Sequence, residues 1–247
     1  MIRGIISATT AMRAQVLNQE VIANNLANVA TPAYEQDRAV FGTFHDVLIY
    51  RFEPFVETAI GGYTGGSVIQ DVKTIHAKGP AETTGNPLDI YLPDGTYLGV
   101  ETPSGTRYTR RGDLEVSPDG YLMVGGYRVL GASGPVRLEG GKNYSISEDG
   151  LVLAGGEEVG ALNFYTFSEG ANLVKEGNSL FRLESGTAIT LASARVIPGA
   201  LEKSSVDPVS EMVRLISAMR TYEAAQRVLH SHDETLEQAI NRVGRVS

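Results

Sequence analysis

The sequence predicts a mainly β protein: an irregular all-β domain, barrel-like or sandwich-like, with long N- and C-terminal α-helices that pair as a coiled coil. Three observations carry this. Apolar residues recur at helical spacing over the first thirty or so positions and again over the last forty. Between them lie many short β-branched and aromatic runs broken by turn residues. Most of the 28 glycines fall in that middle region, where turns need positive φ.

At the N-terminus, Ile2, Ile5, Thr9, Met12, Val16, Ala23, Leu26 and Ala30 follow one another on a helix face, with Gln19 interrupting the seam. Pro32 ends the segment, because the residue before a proline avoids the α region. The seam is narrow and its side chains are small. Alone it stabilises little, so it calls for a partner. Residues 31–60 have no clear period. Their apolar content, from Phe41 and Phe44 through Phe52, Phe55 and Val56, predicts a short helix followed by an extended arm. Gly61-Gly62-Tyr63-Thr64-Gly65-Gly66 reads as a flexible joint.

Strands are predicted at Val68–Thr74, Leu88–Leu92, Tyr97–Thr102, Leu114–Ser117, Tyr121–Val124, Val136–Leu138, Tyr144–Ser147, Leu151–Ala154, Ala161–Phe167, Leu180–Leu183 and Ala194–Ile197. Three similar turns punctuate them: Pro93-Asp94-Gly95, Pro118-Asp119-Gly120 and Glu148-Asp149-Gly150. An Asp-Gly pair predicts a two-residue hairpin turn with both central positions at positive φ. The last segment opens with Asp207 as N-cap and Pro208 as first helical residue. Val209, Met212, Val213, Ile216 and Met219 form one stripe. Leu215, Ala218, Tyr222, Ala225, Leu229, Leu236, Ala239 and Val243 form a heptad-like second, with His232 its polar exception. A helix of about 35 residues, roughly 50 Å long, follows. That length signals a coiled coil or a helix packed in an assembly.

Composition narrows the function. A formal net charge of -8 argues against a nucleic-acid binder, which carries a clustered basic surface. The absence of cysteine excludes disulfide scaffolds, thiolate metal sites and thiol nucleophiles. No run reaches the roughly 18 apolar residues of a membrane span. The N-terminus lacks the continuous apolar stretch of a classical leader, so membrane insertion and a cleaved signal peptide are not expected.

No catalytic, cofactor or metal site is expected. His230 and His232, two apart on a helix, point about 200° from one another and cannot share an ion. His45 and His76 lack neighbours at ligand spacing. Gly61–Gly66 lacks the Lys-Ser/Thr ending of a phosphate loop. Gly131-Ala132-Ser133-Gly134-Pro135 has its second glycine one position too early for a nucleophile elbow, and reads as a hairpin or loop. Arg107, Arg110 and Arg111 form a small basic patch, either a solvated strand edge or a contact for an acidic neighbour. Asn24-Asn25-Leu26-Ala27-Asn28 places three polar amides near a helix end. They are either a fraying terminus or hydrogen-bonding groups that fix register between subunits.

With its flanks, that run, Ile22-Ala23-Asn24-Asn25-Leu26-Ala27-Asn28-Val29-Ala30-Thr31-Pro32-Ala33-Tyr34, resembles the N-terminal signature of bacterial flagellar rod and hook proteins. Thr84–Ile90 resembles the entry to that family's β domain. Tyr108–Asp113, Gly120-Tyr121-Leu122 and Val129-Leu130-Gly131 resemble its central hairpins. Gly199–Asp207, Glu211-Met212-Val213 and Arg220–Ala224 resemble its C-terminal signature. Ala30 and Ala33 stand where the family often has Asn or Ser and Gly, respectively.

The resemblance implies an inner helical domain from residues 1–35 and 199–247, a linker or extended arm at 36–66, and an outer β domain at 67–198. It implies a rod subunit of the basal body, exported by the flagellar type III apparatus, whose partners are itself and other rod and hook proteins. It implies no catalysis and no cofactor. The start at Met1-Ile2-Arg3-Gly4 and the ending through Gly244-Arg245-Val246 resemble the proximal type of rod protein, with the distal type as alternative. The subunit-interface residues are then Ile5, Met12, Val16, Asn24, Asn25, Leu26 and Asn28 on the first helix, and Val213, Ile216, Tyr222, Leu229 and Leu236 on the last. Two other classes stay open on the residues alone. One is a wall-acting hydrolase, which needs two carboxylates in one cleft. The other is an adhesin with a β head on a helical stalk.

Overall fold

A computed structural model describes residues 2–43, 46–53, 56–138, 143–191 and 194–243. The chain divides into two compact units, Met1–Ala27 with Asp37–Ile75 and Asp207–Ser247, and Asn28–Gln36 with His76–Val206. The ending at Gly244-Arg245-Val246, His45, Phe44 and Phe55 lie outside the described residues.

The first unit holds both helices, α1 (Ile2–Ala27) and α2 (Pro208–Val243). Asp207 caps α2 as its sequence predicts: its carboxylate accepts from the backbone N–H of Val209 and Ser210 at 3.3 Å, and from the Ser210 hydroxyl at 2.6 Å. The Ser210 hydroxyl above all, then the two N–H groups, hold that carboxyl below the ordinary carboxylate range.

Four strands share this unit: β1 (Asp37–Thr43), β2 (Asp46–Glu53), β3 (Val56–Thr64) and β4 (Ser67–Thr74). β1 pairs antiparallel with β4, and β2 with β3, as two two-stranded sheets. Strands therefore replace the short helix expected within 31–60. β4 offers Asp37–Thr43 a complete ladder, and tertiary pairing overrides a segment with no helical period. The glycine joint is likewise no loose hinge. Gly61 and Gly62 are paired within β3. Gly66, at φ +122°, lies so close to α1 that a Cβ there would stand 2.0 Å from the Thr10 hydroxyl oxygen.

In the second unit a ten-stranded sheet runs through Asn172–Glu176, Leu180–Ser185, Gly105–Thr109, Tyr97–Thr102, Tyr127–Gly131, Leu122–Val124 and Leu114–Val116. Phe164–Phe167 joins it through Tyr97–Thr102. The sheet is open, with Asn172–Glu176 at one end of this path and Leu114–Val116 at the other, so the barrel alternative does not hold. A three-stranded sheet of Tyr144–Ile146, Leu151–Ala154 and Glu157–Ala161 contributes Ile146 and Val152 to the same core as Leu98, Val100, Leu122, Val129 and Phe164.

The Asp-Gly turns form, in a different way from the expected one. Gly95, Gly120 and Gly150 take positive φ, whereas Asp94, Asp119 and Asp149 do not. Gly120 N–H donates to Ser117 O at 2.8 Å, and Ser117 N–H to Tyr121 O at 2.8 Å. This is a three-residue loop closed by a glycine bulge, a form that Pro118 favours by fixing φ at the first turn position. Gly131 and Gly134 pair in a hairpin, as the loop reading of that segment expects.

Segments 28–36 and 199–206 run side by side within this unit. Ala33 N–H donates to Glu202 O at 2.8 Å and Ser205 N–H to Tyr34 O at 2.9 Å. Here Glu202, 3% exposed, meets Arg110 at 2.6 Å and accepts from Gly79 N–H at 2.9 Å.

Candidate assembly surface

Within the first unit α1 and α2 lie against each other and run antiparallel. Gly4 abuts the His232 ring, and Asn25 abuts Glu211; the same number of residues separates Gly4 from Asn25 as Glu211 from His232. Along α2 the least exposed positions are Glu211, Leu215, Ala218, Tyr222, Ala225, Leu229, His232, Leu236 and Ala239, in steps of four and three. This is the second stripe of the sequence reading, carried one turn further to a buried carboxylate. On α1 the buried positions are small or short, Ala8, Ala14, Ile22 and Asn25, which lets the larger side chains of α2 approach.

Asn25 is the polar centre of this packing. Its side-chain amide donates to Asp37 O at 2.7 Å and to a Glu211 carboxylate oxygen at 3.3 Å, while its carbonyl accepts from Asp37 N–H at 2.9 Å. Glu211, 2% exposed, also receives the Arg214 guanidinium at 2.7 Å. One side chain thus joins α1, α2 and the start of β1. The sequence reading offered the Asn-rich run as a fraying end or as contacts between subunits; here Asn25 bonds within its own chain, to Asp37 and to Glu211, a charge on an apolar face.

The remaining candidate residues fall in several places. Ile5, Met12, Leu26, Tyr222, Leu229 and Leu236 are half-buried. Asn28 belongs to the second unit and closes the turn after α1, its side-chain oxygen accepting from the Thr31 hydroxyl at 3.2 Å. Val16, Asn24, Val213 and Ile216 are exposed. The last two belong to the first stripe of α2, where Val209, Met212, Val213, Ile216 and Met219 are 49–68% exposed. An exposed apolar stripe of this kind makes α2 the candidate association surface. An open groove of about 350 Å³ lies beside α1, lined by Leu17, Glu20, Val21, Asn24, Asp37, Ile69 and Val72.

The basic patch is neutralised within the chain. Arg107 meets Glu176 at 2.7 Å, Arg110 meets Glu202, and Arg111 meets Asp113. Arg107 first, and then Arg182, keep the Glu176 carboxyl below its usual range. Among the described residues no three His, Asp or Glu side chains gather as a metal site, and no helix is long and apolar enough to cross a membrane.

The described surface thus carries exposed apolar residues on α2 and an open groove beside α1. Comparison with known proteins gives the family. Residues 5–34 match the family model described as flagella basal body rod protein, and residues 197–242 match the one described as flagellar basal body rod FlgEFG protein C-terminal. The chain is 32% identical to the flagellar basal-body rod protein FlgF of Salmonella typhimurium over 91% of its own length and 93% of that protein's. It is 29% identical to the rod protein FlgG of Bacillus subtilis over 98% and 99%. To the flagellar hook-basal body complex protein FlhO of the same organism it is 26% identical over 100% of both. The chain belongs to the flagellar basal-body rod protein family.

Proposed function

We propose that this protein is a structural subunit of the flagellar rod, in its proximal part, and that it works by polymerising and not by catalysis. The terminal helices form the inner helical layer, where helices of neighbouring copies pack as a coiled coil. The β-rich middle of the chain forms an outer layer. Copies repeat through one heterologous contact and build an open helical tube. Many packed helices resist twist together, so the tube transmits torque from motor to hook. Its partners are other copies and other rod and hook proteins, and it leaves the cell through the flagellar type III apparatus.

The observation that carries this reading is the exposed apolar stripe of α2, set beside a helix pair whose own seam is already filled. The interface includes Val16, Asn24, Val213 and Ile216 on the open surface, with the half-buried Ile5, Met12, Leu26, Tyr222, Leu229 and Leu236 beneath. The start at Met1-Ile2-Arg3-Gly4 favours the proximal position. Electron microscopy of basal bodies from a deletion strain tests the role. A missing or stunted rod without a hook is the expected result, and a short stub places the subunit proximally. A long stub overturns the proximal placement, and normal basal bodies with hooks overturn the role itself.

A further inference from the structure

The first unit carries two apolar surfaces whose charges are complementary, and we infer that the α2 stripe of one copy seats in the groove beside α1 of a second copy. This rests on the polymerising-subunit reading and names the contact it leaves open.

The groove is walled by Leu17 and Val21 of α1 and by Ile69 and Val72 of β4, and Leu17 and Val72 are among the exposed large apolar residues. Glu20 stands on its rim, exposed and without an ion-pair partner among the described residues. The stripe has the opposite sign. Val209, Val213 and Ile216 follow one another in helical steps of four and three, and the next step of four reaches Arg220. Arg220 is exposed and likewise has no ion-pair partner among the described residues. An apolar ridge ending in a guanidinium matches an apolar trough edged by a carboxylate, and such charge pairing sets register and rejects wrong partners. Ridge length also fits. From Val213 to Arg220 α2 advances about 10 Å, as does α1 from Leu17 to Asn24.

The occupant is a second copy because ridge and groove belong to one unit and are different surfaces. A contact between unlike patches of identical chains is heterologous; it does not pair off as a two-fold dimer does, but propagates into a ring or an open filament.

The test uses the full chain in basal bodies. Because the chain has no cysteine, introduced thiols are its only ones. A strain lacking the native gene co-expresses two single variants, Val72→Cys and Ile216→Cys, and isolated basal bodies are oxidised. A mixed disulfide dimer is expected, and none from either variant alone. In parallel, Glu20→Arg and Arg220→Glu each reduce incorporation by about tenfold or more, and the two reversals in one chain restore it. These positions are exposed, so circular dichroism of each purified variant should match the parent. Two outcomes overturn the contact: basal bodies that contain the chain without any mixed dimer, or thiols that cross-link only to a different protein. A double reversal no better than the single ones overturns the charge pairing. Absence of the unmodified chain from basal bodies is a separate result, and it overturns the rod-subunit reading itself.

Discussion

Asn25 and Glu211 face each other across the two terminal helices, 3.3 Å apart and only 1% and 2% exposed. A carboxylate in this position needs donors, and Asn25 and Arg214 supply them. The same Asn25 amide closes the Asp37 backbone on both its N–H and its carbonyl. A polar contact this specific fixes the register of two helices whose apolar seam would tolerate a slip of one heptad.

Replacing Asn25 therefore affects three partners at once. Asn25→Ala should cost roughly 2–4 kcal/mol, since Asp37 and Glu211 lose bonds in a buried site. Asn25→Asp tests the donor specifically. The new carboxylate still accepts from Asp37 N–H, but it cannot donate to Asp37 O and it confronts Glu211. Burial and that like charge raise its folded pKa above the unfolded value of about 3.9. The electrostatic penalty is then absent below about pH 4, grows as the pH rises, and is complete above the folded value. Chemical denaturation of both variants and the parent at pH 4 and pH 7 checks this. An equal loss at both pH values for Asn25→Asp would refute the donor role.

Much of this arrangement was legible in the sequence because helices and hairpins write local patterns. The heptad steps from Leu215 to Ala239 gave the α1-facing seam, and Asp207-Pro208 gave the start of α2. Tyr97–Thr102 and Leu151–Ala154 appear as strands with the bounds expected. What stayed hidden depends on distant partners. β1 exists because β4 pairs with it, and no period within Asp37–Thr43 announces that. On α1, Val16 and Ala23 of the expected face are exposed and Ile5, Met12 and Leu26 only half-buried, while the small residues Ala8 and Ala14 are buried. Small side chains carry a weak hydropathy signal, and only the facing helix shows why they are needed. Glu211 belongs to the C-terminal signature, but its burial was hidden for a like reason: a charge at a seam position reads as solvent-facing until its donors are known.

The buried pair of Arg110 and Glu202 invites a double-mutant cycle. Both side chains are at most 5% exposed, and Arg110 also donates to Thr96 O at 3.1 Å and Pro93 O at 3.3 Å. Arg110→Met strands a carboxylate in the core and should cost about 3–5 kcal/mol. Adding Glu202→Leu removes that stranded charge, so the double variant should be less destabilised than the sum of the single ones. Urea denaturation of the four proteins measures the coupling, and strict additivity would mean that the pair does not interact.

Alkaline pH should weaken the same unit. Burial first, and then the charge of Glu35, push the Tyr97 hydroxyl up to about 12. In the unfolded chain it ionises near its ordinary value of about 10. Between these values the folded state holds a proton that the unfolded state has lost, so stability falls as pH rises through that window, by up to about 3 kcal/mol. Below pH 10 the group contributes no slope. Tyr97→Phe retains the ring, which packs edge-on against Phe167 at 5.1 Å and Phe181 at 5.8 Å, and should remove this part of the decline. Denaturation midpoints of the two proteins at pH 9 and pH 11.5 decide it: parallel losses would assign the alkaline sensitivity to other groups.

Ala33 is where sequence and structure disagree most usefully. The backbone here takes φ 51°, the left-handed region that a Cβ makes unfavourable. The residue is 2% exposed, and its N–H is bonded to Glu202 O at 2.8 Å, so the chain is held in that conformation despite the strain. Ala33→Gly removes the Cβ repulsion, while the greater freedom of glycine in the unfolded chain offsets part of the gain. A net stabilisation of less than about 1 kcal/mol is expected, since the burial of the Ala33 methyl is lost as well. Ala33→Val should destabilise by more than that, because a β-branched side chain tolerates positive φ poorly. Thermal unfolding of both variants distinguishes strain from packing. A loss of stability in Ala33→Gly would show that the buried methyl outweighs the backbone conformation.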